Sequence, residues 1–141
     1  MAEFAWRRRM TPHFGEQWVP FAELNLRSTA GRWRTFSVLV DSGATISLMP
    51  RSAAELLGVQ PNTGESIELT GVGGAARRYF VHRFDARIGN LPECEMRIAV
   101  ADSENVPNLL GRLDVLDRYQ IDFDPSLART RIIASPEVRA G

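Results

Sequence analysis

The residues best suited to do chemistry lie in the stretch VLVDSGAT, at residues 38–45. An apolar run with strand character ends on Asp41, and two small residues, Ser42 and Gly43, follow it. A carboxylate held at the end of a strand beside small residues can exchange protons with a bound molecule. Asp, Ser and Gly are also common turn formers, so a simple turn in which Asp41 accepts local backbone hydrogen bonds is the alternative.

Length and composition predict one compact domain. The chain has 141 residues, 44% of them hydrophobic, and can bury a sizeable core. Lys plus Arg equals Asp plus Glu, at 17 each. No overall basic field therefore suggests nucleic acid, and a neutral chain is prone to self-association.

Cysteine, histidine and apolar content narrow the class of protein. The single Cys94 rules out an intrachain disulfide framework, and two His with one Cys make a closed structural zinc site implausible. No apolar run reaches membrane-spanning length, and none follows the basic residues 7–9 to form a secretory signal. We expect a soluble cytoplasmic protein, with a larger parent chain or a peripheral membrane association left open.

Alternating apolar residues predict a mostly β fold. Period-two patterns in residues 20–28 and 34–41 indicate two strands joined by a turn at 28–31. Residues 65–100 predict two hairpins that share a long middle strand, and residues 121–133 predict a further hairpin. The predicted inward residues of the first two strands are Ala22, Leu24, Leu26, Phe36, Val38 and Val40.

Two short helices complete the prediction. Residues 49–58 place Pro50 in a first helical turn and Gly58 after the last one. Residues 112–120 have the spacing of a second helix. The predicted inward residues are Ala53, Leu56 and Leu57 in the first helix, and Val115, Leu116 and Tyr119 in the second.

The N-terminal residues 1–17 show no clear period. We expect a flexible or loosely docked arm, and a segment that packs on the domain or on a partner is the alternative. The predicted division is an arm at 1–17, a domain at 18–135 and a tail at 136–141.

Three motifs follow one another along the chain: VLVDSGAT, LTGVGGA and NLLGR. Together they resemble the retropepsins, the retroviral-type aspartic proteases, and their cellular and bacterial relatives, including the protease-like domain of the DNA-damage-inducible protein family. The resemblance covers residues 18–134. It implies a closed, barrel-like β fold with a flap hairpin and one or two short helices.

By this resemblance Asp41 is the catalytic aspartate of an aspartic endopeptidase. Ser42 would brace the two catalytic loops through its hydroxyl group, and Gly43 would let the backbone approach the carboxylates. Ala44 and Thr45 would contact the substrate backbone. Retroviral enzymes usually carry an acid at the position of Thr45, and its absence from this chain weakens the contact implied there.

The glycine-rich motif resembles the tip of the retropepsin flap. The implied substrate-binding residues are Gly71, Val72, Gly73 and Gly74, where glycine permits a tight, mobile hairpin. A plain glycine-rich hairpin tip is the alternative. Arg77 and Arg78 follow on the returning strand. They form a solvated face, or else they make the protein favour peptides with acidic residues.

In the third motif, Leu109 and Leu110 would form a strand beneath the acid loop, and Leu110 would also contact substrate. Gly111 would begin the turn that follows. Arg112 matches a position that braces the retropepsin dimer, but its usual acidic partner would stand at Thr45. Whether Arg112 pairs with another acid or lies on the surface stays open.

Only one acid motif of this kind occurs in the chain. A pair of carboxylates that share one proton can supply both the base and the acid that peptide hydrolysis needs. The resemblance therefore implies a homodimer with one Asp41 per subunit, a peptide or protein substrate, and no metal or organic cofactor. We expect the hairpin at 121–133 to lie at the dimer interface, or else to close the monomer. A weakly active or inactive dimeric peptide-binding module is the alternative function.

Overall fold

The computed structural model describes residues 1–71 and 74–134. Its strands are β1 (Ala2–Ala5), β2 (Arg7–Thr11), β3 (Gly15–Val19), β4 (Phe21–Arg27), β5 (Trp33–Val40), β6 (Ser47–Met49), β7 (Glu65–Thr70), β8 (Ala76–Ile88), β9 (Cys94–Ala101), β10 (Leu109–Leu110), β11 (Tyr119–Asp124) and β12 (Arg129–Ala134). One α-helix, α1, spans Arg51–Leu56, and an irregular helical turn spans Arg112–Leu116. Within the described residues, no helix has the length and apolarity needed to cross a bilayer.

Six strands form a closed barrel. They pair in the order β4-β5-β10-β6-β9-β8, and pairing of β8 with β4 closes the ring. Strand β7 extends the sheet outward from β8. The short β10 runs parallel to β5 and β6 runs parallel to β9, whereas the other barrel pairs are antiparallel. The predicted mostly β, closed fold is confirmed.

The barrel interior is filled by the residues that the period-two patterns selected. All six predicted inward residues of β4 and β5 are buried. The predicted middle strand is β8, which pairs with β7 on one side and β9 on the other. In β9 both faces are buried over Ile98–Ala101, because one face lines the barrel and the other packs under the β7–β8 hairpin.

The helix α1 lies where it was predicted, but its inward face differs. Leu57 and Ala53 are buried as expected, whereas Leu56 is 54% exposed and Ala54 is buried in its place. The buried residues are spaced i, i+1 and i+4, so the inward face of the helix is rotated toward Ala54 and away from Leu56. Gly58 ends it with a φ of +78°, the left-handed conformation that favours glycine.

The second predicted helix, at 112–120, is wrong, because the structure has only a short irregular turn there. Helical geometry breaks inside Arg112–Leu116, at Leu113 (ψ 127°) and at Asp114 (φ 65°), and Tyr119 already begins β11. Val115 is buried as predicted, whereas Leu116 and Tyr119 pack only partly against the core. The break coincides with hydrogen bonds from neighbouring arginines to the Asp114 side chain.

The expectation of a flexible or loosely docked arm at residues 1–17 is wrong for β1. Strand β1 pairs with β12, which makes a three-stranded sheet in the order β1-β12-β11. The Trp6 indole N–H donates a hydrogen bond of 2.7 Å to the hydroxyl group of Thr130, which is fully buried. Strands β2 and β3 form a separate two-stranded ribbon. The alternative expectation, a segment packed on the domain, therefore holds for β1. The predicted tail at 136–141 lies outside the described residues.

The Trp6 bond gives a direct test of how firmly β1 is attached. Trp6→Phe keeps an aromatic ring but leaves the buried Thr130 hydroxyl without its donor, so we expect a loss of about 1 kcal/mol in the free energy of unfolding. The measurement is urea denaturation followed by circular dichroism. Trp18→Phe is the matched control, because the Trp18 ring is half exposed and we expect a change below about 0.5 kcal/mol. Equal losses in both variants would contradict the attachment.

Candidate active site

The backbone of Asp41 is fixed by the barrel. Strand β10 pairs in parallel with the end of β5, and the Asp41 N–H donates a hydrogen bond of 3.0 Å to the carbonyl of Leu110. The carbonyl of Asp41 accepts the N–H of Ala44 at 3.2 Å. The acid therefore starts a tight loop whose first residue cannot shift without breaking the barrel pairing.

The carboxylate of Asp41 is held by one oxygen. Its Oδ1 accepts the Gly43 N–H at 2.9 Å, and Oδ2 has no hydrogen-bond partner within the described residues. A side chain at Gly43 would place its Cβ 3.2 Å from Oδ1, so a glycine suits this close approach. The bond to Gly43 is also the local contact expected of a simple turn. One fixed and one free oxygen fit both a turn and a catalytic role.

The loop after Asp41 is bonded to the chain that follows β10. The carbonyl groups of Ala44 and Thr45 accept the N–H groups of Arg112 and Leu113, each at 2.9 Å. These two bonds join the acid loop to the third sequence motif. Leu109 and Leu110 lie just before this junction, in β10, which pairs with β5 on one side and β6 on the other.

Gly111 and Ser47 form the closest part of this junction. A Cβ atom at Gly111 would lie 2.5 Å from the carbonyl carbon of Ile46, which no relaxed structure accommodates. The Gly111 N–H donates a hydrogen bond of 2.9 Å to Ser47 Oγ, and Ser47 is buried. Sequence reasoning missed Ser47, although a lone hydroxyl inside the apolar run ISLM was a signal that it has a buried partner.

Asp114 is the second feature that sequence reasoning missed. Its carboxylate is buried and accepts the side chain of Arg97 through two bonds, Nε to Oδ2 at 2.9 Å and Nη2 to Oδ1 at 3.0 Å. The Arg97 backbone N–H and the Arg118 guanidinium add bonds of 3.0 and 3.2 Å. The Arg97 side-chain hydrogen bond lowers the pKa of Asp114, and burial opposes this only in part. Asp114 thus anchors the irregular turn to β9.

A groove of about 610 Å³ lies above the acid loop. Three segments form its walls: the acid loop and β6, the β7–β8 hairpin, and residues 105–107. The lining residues are Asp41, Gly43, Ala44, Thr45, Ile46, Leu48, Leu69, Thr70, Gly71, Ala75, Arg77, Tyr79, Asn105, Val106 and Pro107. The groove therefore joins the first and second sequence motifs at one site.

The structure brings five of the ten predicted site residues to this groove, namely Asp41, Gly43, Ala44, Thr45 and Gly71, whereas Ser42 does not line it. Leu110 is fully buried and is not among the residues that line the groove. Its part is to hold Asp41 through its carbonyl. Gly74 closes the hairpin turn with its N–H bonded to the Gly71 carbonyl, and it also lies outside the lining. Val72 and Gly73 lie outside the described residues.

Two polar side chains at the acid loop have no partner within the described residues. Ser42 is exposed and its hydroxyl makes no hydrogen bond there. Arg112 is exposed and has no carboxylate within 4.0 Å in the same part of the chain. Within a single subunit, and among the described residues, Arg112 therefore lies on the surface and does not pair with an acid.

Among the described residues, the remaining reactive side chains form no second catalytic or metal-binding centre. Burial raises the pKa of the Cys94 thiol, and a hydrogen bond with Tyr119 opposes this only in part, so the thiol is not activated. Among residues 1–71 and 74–134, no group of three or more His, Cys, Asp or Glu side chains is placed to hold a metal ion.

A closed six-stranded barrel, with an acid loop at the end of β5 below a glycine-tipped hairpin, is the retropepsin-like fold. The family described as aspartyl protease matches residues 28–112, more than half of the chain, and the chain belongs to that family. A solved structure of EIAV protease complexed with the inhibitor HBY-793 is similar, with a TM-score of 0.53 and 22% sequence identity. The match covers 67% of this chain and 82% of that one, and it shows the shared fold. No curated protein matches the chain.

Because the two backbone segments lie so close at Gly111, we expect one added methyl group there to lower the stability of the fold strongly. Gly111→Ala forces a Cβ against the Ile46 backbone, and we expect a loss of about 2–3 kcal/mol in the free energy of unfolding. Gly71→Ala is the control, since no atom of the described residues lies within 4 Å of its added Cβ, and we expect less than about 0.5 kcal/mol. Urea denaturation of both variants provides the comparison. A Gly111→Ala protein as stable as the wild type would show that the close approach is not real.

The Asp114 anchor predicts a pH-dependent loss of stability. Asp114→Asn tolerates the positive φ and removes the charge, so we expect a loss of about 2 kcal/mol at pH 7. The pKa of Asp114 is lower in the folded protein than in the unfolded chain. Its stabilisation is therefore complete above the unfolded value of about 3.9 and disappears as the pH falls through the lower folded value.

Thermal or urea unfolding between pH 7 and pH 2 tests this dependence. The difference between wild type and Asp114→Asn should be constant above about pH 5 and shrink below about pH 4. Asp117→Asn, which changes an exposed acid three residues later, should show no such change. A difference that grows in acid would contradict a lowered pKa at Asp114.

Proposed function

We propose that the protein is a homodimeric aspartic endopeptidase in which Asp41 of each subunit supplies one of two catalytic carboxylates. The observation that carries this proposal is the position of the Asp41 carboxylate. One oxygen is fixed by Gly43, the other is free among the described residues, and the acid lines a groove of about 610 Å³. Membership of the aspartyl protease family supports hydrolysis of a peptide bond as the reaction.

The proposed chemistry follows from two like charges held close together. Two carboxylates in contact cannot both ionise, so the pair keeps one proton, and its apparent pKa values belong to the pair. The ionised carboxylate takes a proton from a water molecule as that water attacks the peptide carbonyl carbon. The protonated carboxyl group stabilises the developing oxyanion. The carboxyl group that took the proton from water then gives it to the leaving nitrogen, the C–N bond breaks, and the pair again holds one proton. No metal or organic cofactor takes part.

Ser42 and Gly43 have supporting roles in this proposal. The Gly43 N–H holds Oδ1 and so fixes the orientation of the carboxylate. The exposed Ser42 hydroxyl, which has no partner among the described residues, would bond across the subunit boundary and brace the two loops. Arg112, exposed near the same loop, would find its acidic partner in the other subunit.

The free edge of β11 supports a dimer. In the sheet β1-β12-β11, and within the described residues, the outer strand β11 pairs on one side only, and exposed strand edges favour pairing with another chain. Phe123 on this strand is 42% exposed. Antiparallel pairing of two β11 strands about a two-fold axis would make one six-stranded sheet, an isologous contact. The hairpin of β11 and β12 is thus the proposed interface.

The groove suits an extended peptide. The β7–β8 hairpin lies over it as the proposed flap, and a substrate strand would bond along its main chain to Gly71 and to the neighbouring hairpin tip. The walls are mostly apolar, with Ile46, Leu69 and Val106 among the lining residues. We therefore propose apolar side chains next to the bond that is cut.

Cleavage of an unbiased peptide library tests the proposal. We expect the wild type to cleave between pH 4 and pH 7 at a concentration where sedimentation shows a dimer, since a weak dimer is inactive when dilute. Asp41→Asn should lower kcat/KM by at least about 100-fold, because it removes the proton-transfer group. Asp85→Asn, an exposed acid on β8 that does not line the groove, should leave kcat/KM unchanged.

Two results would contradict the proposal in different ways. A dimer that binds peptides without cutting them would indicate a peptide-binding module on the same fold. Cleavage that survives Asp41→Asn would place the catalytic group elsewhere in the chain.

A further inference from the structure

Among the described residues, Arg77 is the one basic side chain that lines the groove. Apart from Asp41, every other lining residue is apolar or uncharged, and the apolar ones form most of the wall. The Arg77 side chain is exposed at this surface, so a molecule bound in the groove can contact its charge directly, and the interaction strengthens where binding displaces water.

The position of Arg77 is set by the hairpin. Arg77 of β8 stands directly opposite Leu69 of β7, and both side chains line the groove. The Arg77 guanidinium donates one long hydrogen bond of 3.4 Å to the carbonyl of Asn105, across the groove wall. This bond uses one of its five N–H donors, so the others remain available.

Within residues 1–71 and 74–134, no carboxylate lies within 4.0 Å of the Arg77 guanidinium. Asp102 lies beside Arg77 in a neighbouring hollow but forms no ion pair with it at that distance. The guanidinium is therefore not neutralised by the described part of its own subunit.

We propose that Arg77 is a specificity-determining residue that binds the carboxylate of an Asp or Glu side chain in the peptide. This inference rests on the proposed function and names the class of peptide that the groove prefers. A guanidinium group binds a carboxylate through two parallel N–H bonds, which gives both energy and orientation. In a two-fold dimer there is one Arg77 in each half of the groove, so the preference applies on both sides of the bond that is cut.

Arg78 supplies a matched control in the same strand. It has the same charge and is exposed, but successive side chains of a strand point to opposite faces, and Arg78 lines the neighbouring hollow without reaching the Asp41 groove. A preference caused by general positive charge on the hairpin would depend equally on both arginines. A preference caused by Arg77 alone would not.

The experiment measures peptide binding by the full-length Asp41→Asn protein, which does not depend on cleavage. Peptides that differ only by Glu or Gln are compared, with the substitution moved along an otherwise apolar sequence. At one position on each side of the centre we expect the Glu peptide to bind about tenfold more tightly. Added Arg77→Gln should abolish this difference, and added Arg78→Gln should preserve it.

Two more variants distinguish a specific loss of recognition from a folding defect. Arg77→Lys, which keeps the charge but loses the two parallel bonds, should retain a smaller preference for Glu. Arg77→Glu should reverse the preference, so that a Lys peptide binds more tightly than its Gln counterpart. Such a reversal needs a folded groove.

Three results would overturn the inference: no preference for Glu at any position, a preference that persists in Arg77→Gln, or an equal loss in Arg77→Gln and Arg78→Gln. Failure of every peptide to bind would overturn it as well. Wild-type cleavage is a separate measurement. Selective binding of Glu peptides without wild-type cleavage would reject the endopeptidase and keep Arg77 as the recognition residue.

Discussion

The site depends on the close approach of two backbone segments, the acid loop after β5 and the chain that follows β10. At Gly111 there is no room for a Cβ atom, and the Gly111 N–H bonds to the buried Ser47 hydroxyl. The Asp41 N–H bonds to the next carbonyl back, that of Leu110. The direction of the Asp41 carboxylate is thus a consequence of barrel closure, since a shift of either segment would move the acid.

The two acids in this region have opposite environments. Asp114 is buried and bonded to two arginines, which lowers its pKa and commits it to holding the irregular turn against β9. Asp41 is partly exposed and keeps one oxygen without a partner among the described residues. A fully bonded carboxylate stabilises the fold but can do little chemistry. The structure therefore separates the acid that positions the site from the acid proposed to react.

The sequence predicted elements whose side chains alternate between core and solvent, such as β4 and β5, because burial imposes that period directly. Prediction from the sequence failed where a specific side-chain contact overrides the local preference for a helix or a strand. The spacing of residues 112–120 favours a helix, but the bonds between Asp114 and Arg97 hold the chain in a non-helical turn. Strand β1 was missed because it has only four residues, so the alternation of Ala2 and Phe4 toward the core is too short to stand out, and its partner lies 130 residues away. The acid loop was predictable from its motif. The lone hydroxyl of Ser47 indicated a buried partner without identifying it, and no local pattern pointed to the bonds of Asp114.

The central claim is that one active site uses Asp41 from two subunits, and mixed dimers test it most directly. Wild-type and Asp41→Asn chains are mixed in equal amounts, allowed to exchange subunits, and assayed on one cleaved peptide at constant total protein. If both carboxylates are needed, only pairs of wild-type chains are active, so the rate should fall to about one quarter of the wild-type value. A rate of about one half would show that each subunit acts with its own Asp41 alone, and it would contradict the shared site.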